Sequence, residues 1–170
     1  AGGTGGHIFP ALAIAKELKE RGEAVEWLGG KNKMESRLVP EHGYKFHGVS
    51  SSGLRGKNLL TILKAVFLLS YGFLQTIVVF FKYRPNIVIG MGGYASGIGG
   101  LISKFFFVPL FIHEQNSVPG TTNRLLSRLA FKCFQAFEDT FPENVGAITT
   151  GNPILFNPIP KNEPKSVKNL

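Results

Sequence analysis

Three short runs hold the residues able to do chemistry. The first, Ala1-Gly2-Gly3-Thr4-Gly5-Gly6-His7, leads straight into the apolar segment Ile8-Phe9-Pro10-Ala11-Leu12. Glycines ahead of a helix leave backbone N–H groups open at its N-terminus, a place for a phosphate or a developing negative charge. Thr4 adds a hydroxyl there and His7 an ionisable ring. The second run is Gly90-Met91-Gly92-Gly93-Tyr94-Ala95, again between an apolar strand pattern and a helix pattern. The third, His113-Glu114-Gln115-Asn116, places four polar residues at the end of an apolar strand. There a carboxylate can orient an imidazole or share its proton, and an amide can bind a sugar hydroxyl.

The two glycine turns differ in what they match. Counted from Gly3, a dinucleotide fingerprint needs its last glycine where Ile8 stands, and the next strand ends in Trp27-Leu28-Gly29-Gly30 without an acid. The second turn does satisfy G-x-G-x-x-A, and Glu114 closes the following strand where a ribose-binding acid would sit. That match supports an alternative reading as an NAD(P)- or flavin-dependent oxidoreductase.

Composition narrows the chemistry. Asp139 is the only aspartate, which rules out an aspartate-rich two-metal centre within the sequence. His7, His42, His47 and His113 are scattered without metal-ligand spacing, so no metal site is expected. The single Cys133 lies in an apolar run and reads as a buried thiol in a reducing compartment. A net charge of +8 points to an anionic partner. No nucleic-acid-binding pattern accompanies that charge, so nucleic acid is not the expected partner.

The elements that must position these runs alternate. Helices are expected over residues 8–21, 34–41, 58–83, from the second glycine turn to about 106, and over 121–130. Strands are expected over residues 25–28, 44–49, 86–89, 110–113, 132–137 and 147–150. Continuous apolar strands joined by helices predict one parallel sheet covered on both faces, with the glycine turns at its carboxyl edge. A glycine turn of the first kind hangs from a strand, so the sheet's first strand is expected to be missing ahead of Ala1. Residues 1–153 form the expected domain. Residues 154–170, with Pro158, Pro160, Pro164, Lys161, Lys165 and Lys168, read as a linker and the start of a further domain.

Between Leu59 and Phe81 the only charge is Lys64. Apolar residues there surround most of a helical wheel, more than packing on a sheet requires. Arg55, Lys57 and Lys64 near one end and Lys82 and Arg84 at the other would suit anionic headgroups, so peripheral contact with an anionic membrane surface is expected. A non-catalytic membrane-binding module is therefore a second alternative.

Taken together, the Gly2–Ala13 run, Ser52-Gly53-Leu54-Arg55-Gly56-Lys57, the Gly90–Gly97 turn, His113-Glu114-Gln115-Asn116 and Gly151-Asn152-Pro153 closely resemble the MurG family. The resemblance implies the N-terminal half of a two-domain GT-B glycosyltransferase with a Rossmann-like α/β fold. Its implied partners are UDP-N-acetylglucosamine and the undecaprenyl-diphosphate-linked muramyl-pentapeptide, at the cytoplasmic face of the cell membrane, in peptidoglycan synthesis. It further implies an inverting, metal-independent reaction without a cofactor, and a fragment inactive by itself.

Carried over by position, the resemblance assigns Thr4, Gly5, Gly6 and Asn116 to the donor sugar. It makes His7, Tyr94, His113 and Glu114 candidates for the acceptor and reaction centre, with Gly92 and Gly93 in the substrate-binding turn. Where the family carries arginine after Gly-Asn-Pro and an aliphatic residue, this chain has Leu155. The proton of the attacking hydroxyl could go to His7 or to the His113–Glu114 pair; His7 is preferred because it adjoins the glycine turn. On that preference His7→Ala should abolish transfer and Glu114→Gln should leave it intact.

Overall fold

The computed structural model describes residues 1–50 and 58–155. Helix α1 spans Gly5–Glu20 and buries Ile8, Ala11, Leu12 and Ala15, the stripe of a helix lying on a core. It begins earlier than its apolar pattern, because Thr4 takes the extended cap conformation and Gly5 and Gly6 enter the first turn. It ends at Gly22, whose φ of 86° lets Gly22 N and Glu23 N reach back to the carbonyls of Lys19 and Leu18. Strand β1 (Glu26–Gly30), helix α2 (Met34–Glu41) and strand β2 (Lys45–Val49) follow, with β1 and β2 paired in parallel.

Helix α3 (Leu59–Tyr83) leads to β3 (Val88–Gly90), α4 (Gly93–Phe105), β4 (Leu110–Glu114), α5 (Thr121–Leu126), β5 (Lys132–Gln135) and β6 (Ile148–Thr149). A 3-10 turn at Glu143–Val145 precedes β6. Strand β5 stops two residues short of its apolar pattern. There the Gln135 side chain accepts from Phe141 N at 3.0 Å and donates to Thr149 Oγ1 at 3.0 Å, closing a turn through Asp139 at φ 57°. The chain leaves α5 at Leu126, four residues early, to bring Phe131 N within 2.7 Å of the Leu110 carbonyl.

The expected parallel α/β arrangement with helices on both faces is present, and it differs from the expectation only in the grouping of its strands. The strands form two parallel sheets, β1-β2 and β3-β4-β5-β6, because β1 and β3 do not pair with each other. Helix α4 and the first residues join them: Ala1 N donates to Leu28 O at 3.2 Å, and Trp27 Nε1 donates to Ala1 O at 3.0 Å. One face of the larger sheet packs on α3, α4 and α5, where Leu110, Ile112, Leu126, Cys133 and Phe141 make one core and Val88 meets Phe80, Ile98 and Ile102 in another. On its other face Ile89 packs against the core of α1, and beside that contact runs an apolar groove of about 400 Å³, with Ile14 of α1 at one wall and Ile87, Phe111, His113 and Phe134 along it.

Helix α3 turns its small and polar residues inward. A methyl at Gly72 would run into the Ser50 carbonyl, Gln75 Oε1 accepts from Ser50 N at 2.8 Å, and Thr76 Oγ1 donates to the Gly72 carbonyl. Phe67, Leu74, Val78 and Phe81 are left exposed. The patch continues onto α4, where Leu101 and Phe105 are exposed and the Phe105 ring meets Phe73 at 6.4 Å.

Candidate active site

The two glycine turns touch. Gly92 and Gly93 take φ of 92° and 82°, which glycine allows at no steric cost. The His7 ring lies against Gly92, and the Gly2 carbonyl occupies the place of a Gly93 side chain. Thr4, Gly5 and Gly6 begin one helix and Gly93 and Tyr94 begin the other, so the substrate-binding candidates on both turns share one junction. Thr4 and Tyr94 are exposed there. The Thr4 side chain does not cap its own helix, and the Thr4 carbonyl takes the amides of His7 and Ile8.

A carboxylate that the sequence reading passed over fixes the first turn from below. Glu35, in the first turn of α2, is buried; it accepts from Gly30 N at 3.0 Å and from Gly3 N at 3.4 Å, and its side chain lies against Gly2. Its only sequence signal is an acid at the mouth of a helix that follows a glycine-ended strand.

The third run divides its work. Glu114 is wholly buried and accepts five hydrogen bonds, from Gln115 N, Asn116 N, Asn116 Nδ2, Gly120 N and Asn123 Nδ2, all between 2.8 and 3.1 Å. This carboxylate ties down the loop between β4 and α5. That overturns the dinucleotide reading of the second turn, since the acid it needs faces inward and is fully engaged.

The His113 ring does not pair with Glu114. Its Nε2 lies 3.0 Å from the Gly151 carbonyl and its Nδ1 3.2 Å from Gln115 Nε2. Burial holds its pKa below the ordinary histidine value, against smaller opposing effects from the Gly151 carbonyl and the Glu114 charge. Gln115, outside the expected set, reaches His7 instead: its Oε1 is 2.8 Å from His7 Nδ1. Asn116 is exposed but turns its amide nitrogen toward Glu114. Among the described residues no three His, Cys, Asp or Glu side chains converge as a metal site would need.

Of the membrane candidates, Lys64, Lys82 and Arg84 are exposed. Arg55 and Lys57, with the rest of the Ser52–Lys57 motif, lie outside the described residues, as do residues 156–170 of the expected linker. Leu155, at the family's arginine position, packs against the core of α1 and α2.

Residues 1–135 match the glycosyltransferase family 28 N-terminal domain. One relative is the UDP-N-acetylglucosamine–N-acetylmuramyl-(pentapeptide) pyrophosphoryl-undecaprenol N-acetylglucosamine transferase of Vesicomyosocius okutanii subsp. Calyptogena okutanii, 59% identical over 95% of this chain and 47% of its own. The transferase of the same name from Shewanella violacea is 49% identical over 91% of this chain and 42% of its own. The crystal structure of Acinetobacter baumannii MurG superposes with a TM-score of 0.76 at 34% identity, covering 95% of this chain and 45% of that one. The chain thus spans about half the length of the curated relatives it matches. With the two glycine turns in contact and the fold agreeing over nearly the whole chain, this protein belongs to the MurG family of glycosyltransferases, and the part of the family it matches is the N-terminal domain.

Proposed function

We propose that this domain supplies the acceptor side and the base of an N-acetylglucosamine transfer. The donor is UDP-N-acetylglucosamine and the acceptor is the undecaprenyl-diphosphate-linked muramyl-pentapeptide. An acceptor hydroxyl attacks the anomeric carbon from the face opposite the departing group. The new C–O bond forms as the bond to the diphosphate breaks, UDP leaves with the electron pair, and the hydroxyl proton passes to His7. Attack from the opposite face inverts the anomeric centre.

The observation that carries this reading is the junction of the two turns: His7 lies against Gly92, with the N-termini of α1 and α4 on either side. Two helix N-termini favour negative charge without a metal ion. Glu114 is assigned to holding the loop that carries Asn116, and His113 to supporting Gln115. Thr4, Gly5, Gly6 and Asn116 are assigned to the donor sugar, Tyr94, Gly92 and Gly93 to the acceptor.

The domain sits on the cytoplasmic face of the bacterial cell membrane through α3 and the end of α4. Thr61–Tyr83 has a mean hydropathy of 1.9 and is left mostly unburied, unlike an ordinary core helix. A helix lying in the interface suits the fold better than a span, because both of its ends join strands packed in the domain.

In the full-length protein, His7→Asn is expected to lower kcat for transfer by about 10²- to 10⁴-fold while calorimetry still records UDP-N-acetylglucosamine binding. An undiminished rate would remove His7 from the chemistry. The 170-residue chain alone is expected to give no turnover, and titration of the full-length protein with NADH no binding.

A further inference from the structure

Gln115 is 5% exposed, and its side-chain amide stands between two histidine rings. The chain of contacts runs from Gly151 O to His113 Nε2 at 3.0 Å, from His113 Nδ1 to Gln115 Nε2 at 3.2 Å, and from Gln115 Oε1 to His7 Nδ1 at 2.8 Å. Gln115 Nε2 also lies 3.0 Å from the His113 carbonyl. The same nitrogen lies 3.8 Å from Met91 Sδ.

One end of this chain fixes the other. A carbonyl oxygen can only accept, so His113 must carry its hydrogen on Nε2. The buried ring is held neutral, which leaves Nδ1 as a bare acceptor. Gln115 then faces two acceptors, the Nδ1 and the carbonyl of His113, and only its amide nitrogen can serve both. Its oxygen is therefore turned to His7. An amide oxygen accepts and never donates, so His7 Nδ1 carries the hydrogen.

We infer that Gln115 is a positioning residue that holds His7 in the Nδ1–H tautomer and leaves Nε2 as its basic atom, with the orientation set from the Gly151 carbonyl through His113. This rests on the reading of His7 as the base. An unconstrained imidazole prefers its hydrogen on Nε2, the form in which that atom cannot accept a proton. When His7 Nε2 takes the proton from the acceptor hydroxyl, the Nδ1–H bond to Gln115 is retained, and no heavy atom in the chain has to move. Gly151 begins the Gly-Asn-Pro segment at the end of the described chain. A shift of that backbone would release His113, then Gln115, then the tautomer of His7.

The test reads the tautomer directly. Full-length protein labelled with ¹⁵N-histidine is followed by long-range ¹H–¹⁵N correlation near pH 8, with His7 assigned by the signal lost in His7→Asn. Expected in the unsubstituted protein are Nδ1–H for His7 and Nε2–H for His113. Gln115→Met should move His7 toward Nε2–H and lower kcat about 10- to 100-fold, with both KM values within about twofold.

Gln115→Glu keeps an acceptor on His7 and should keep its Nδ1–H form, while it removes the donor to His113 and its new charge moves the acidic limb of the pH–rate profile to higher pH. A wild-type His7 found as Nε2–H, or a tautomer unmoved by Gln115→Met, overturns the inference. If Gln115→Met does not fold, the wild-type and Gln115→Glu spectra decide it. Full transfer by His7→Asn would instead sink the base assignment, and the spectra would still decide the role of Gln115.

Discussion

The ring of His7 rests on the backbone of Gly92: a methyl group at that glycine would stand 2.9 Å from His7 Cε1 and 3.0 Å from Nδ1. The contact makes one site of two turns far apart in sequence. Gly92→Ala is expected to displace the ring and to strain a backbone at φ 92° and ψ 171°. Strain of that kind costs about 1–3 kcal/mol. Chemical denaturation should record that loss, and transfer by the full-length protein should fall further than stability alone explains. An alanine variant of normal rate would mean that His7 need not lie where it does.

The glycine turn also depends on Glu35. Glu35→Ala leaves the amides of Gly30 and Gly3 without their acceptors. A buried donor left unsatisfied costs roughly 1–3 kcal/mol. Glu35→Gln keeps one oxygen and should lose less than Glu35→Ala. A Glu35→Gln variant as stable as the parent, with Glu35→Ala still weakened, would show that the carboxylate contributes only volume.

Glu114 changes an expectation drawn from the sequence. As one member of a catalytic pair it could be exchanged for glutamine as a clean test of which residue is the base. In the fold each of its oxygens accepts from at least two donors, so an amide NH₂ at either position faces other N–H groups. Glu114→Gln is therefore expected to lower stability by about 2–4 kcal/mol, the order found when a buried hydrogen-bonded charge network is broken. It should also reduce transfer by loosening the loop that carries Asn116, rather than leave it intact. A variant as stable as the parent would restore Glu114 as a candidate for the reaction.

Much of this was legible in the residues themselves. Apolar runs and glycine turns gave the strand–helix alternation, and α2 falls on its expected bounds, Met34–Glu41. Glu35, Gln115 and Asn123 were not, because their roles come from pairings distant in sequence: Gln115 reaches His7 across 108 positions and Glu35 reaches Gly3 across 32. The division into two sheets was hidden for a similar reason. Periodicity tells that a segment is a strand and not which strand it pairs with. Helix α3 showed its surplus of apolar surface in composition, but which side faces out depends on Gly72 and Gln75 meeting Ser50.

His113 predicts a pH dependence with a definite sign. Its pKa in the fold lies below the ordinary 6.5 because burial disfavours the charged ring. Below pH 6.5 the unfolded chain therefore binds more protons at this position than the folded one, and stability falls as pH falls. The contribution is complete above that value and is lost on acidification toward the folded pKa. Thermal melting between pH 8 and pH 5 should fall more steeply for the parent than for His113→Asn. Parallel slopes would mean that the ring titrates as though exposed.

The outward face of α3 gives the last prediction. Phe67 and Leu74 are 72% and 60% exposed, so a glutamate at either should leave the fold nearly untouched, within about 0.5 kcal/mol. In the membrane docking proposed above, this exposed face is the binding surface. Burying a Phe or Leu side chain contributes about 1.5–3 kcal/mol, and each 1.4 kcal/mol is about tenfold in affinity. Each substitution should therefore weaken co-sedimentation of the full-length protein with anionic vesicles about tenfold or more. The added negative charge works in the same direction against anionic headgroups. Lys64→Ala, by contrast, should weaken binding mainly at low salt, since an exposed charge acts through a screened field. Glutamate variants that sediment like the parent, with melting unchanged, would mean that the apolar face of α3 and α4 meets something other than lipid.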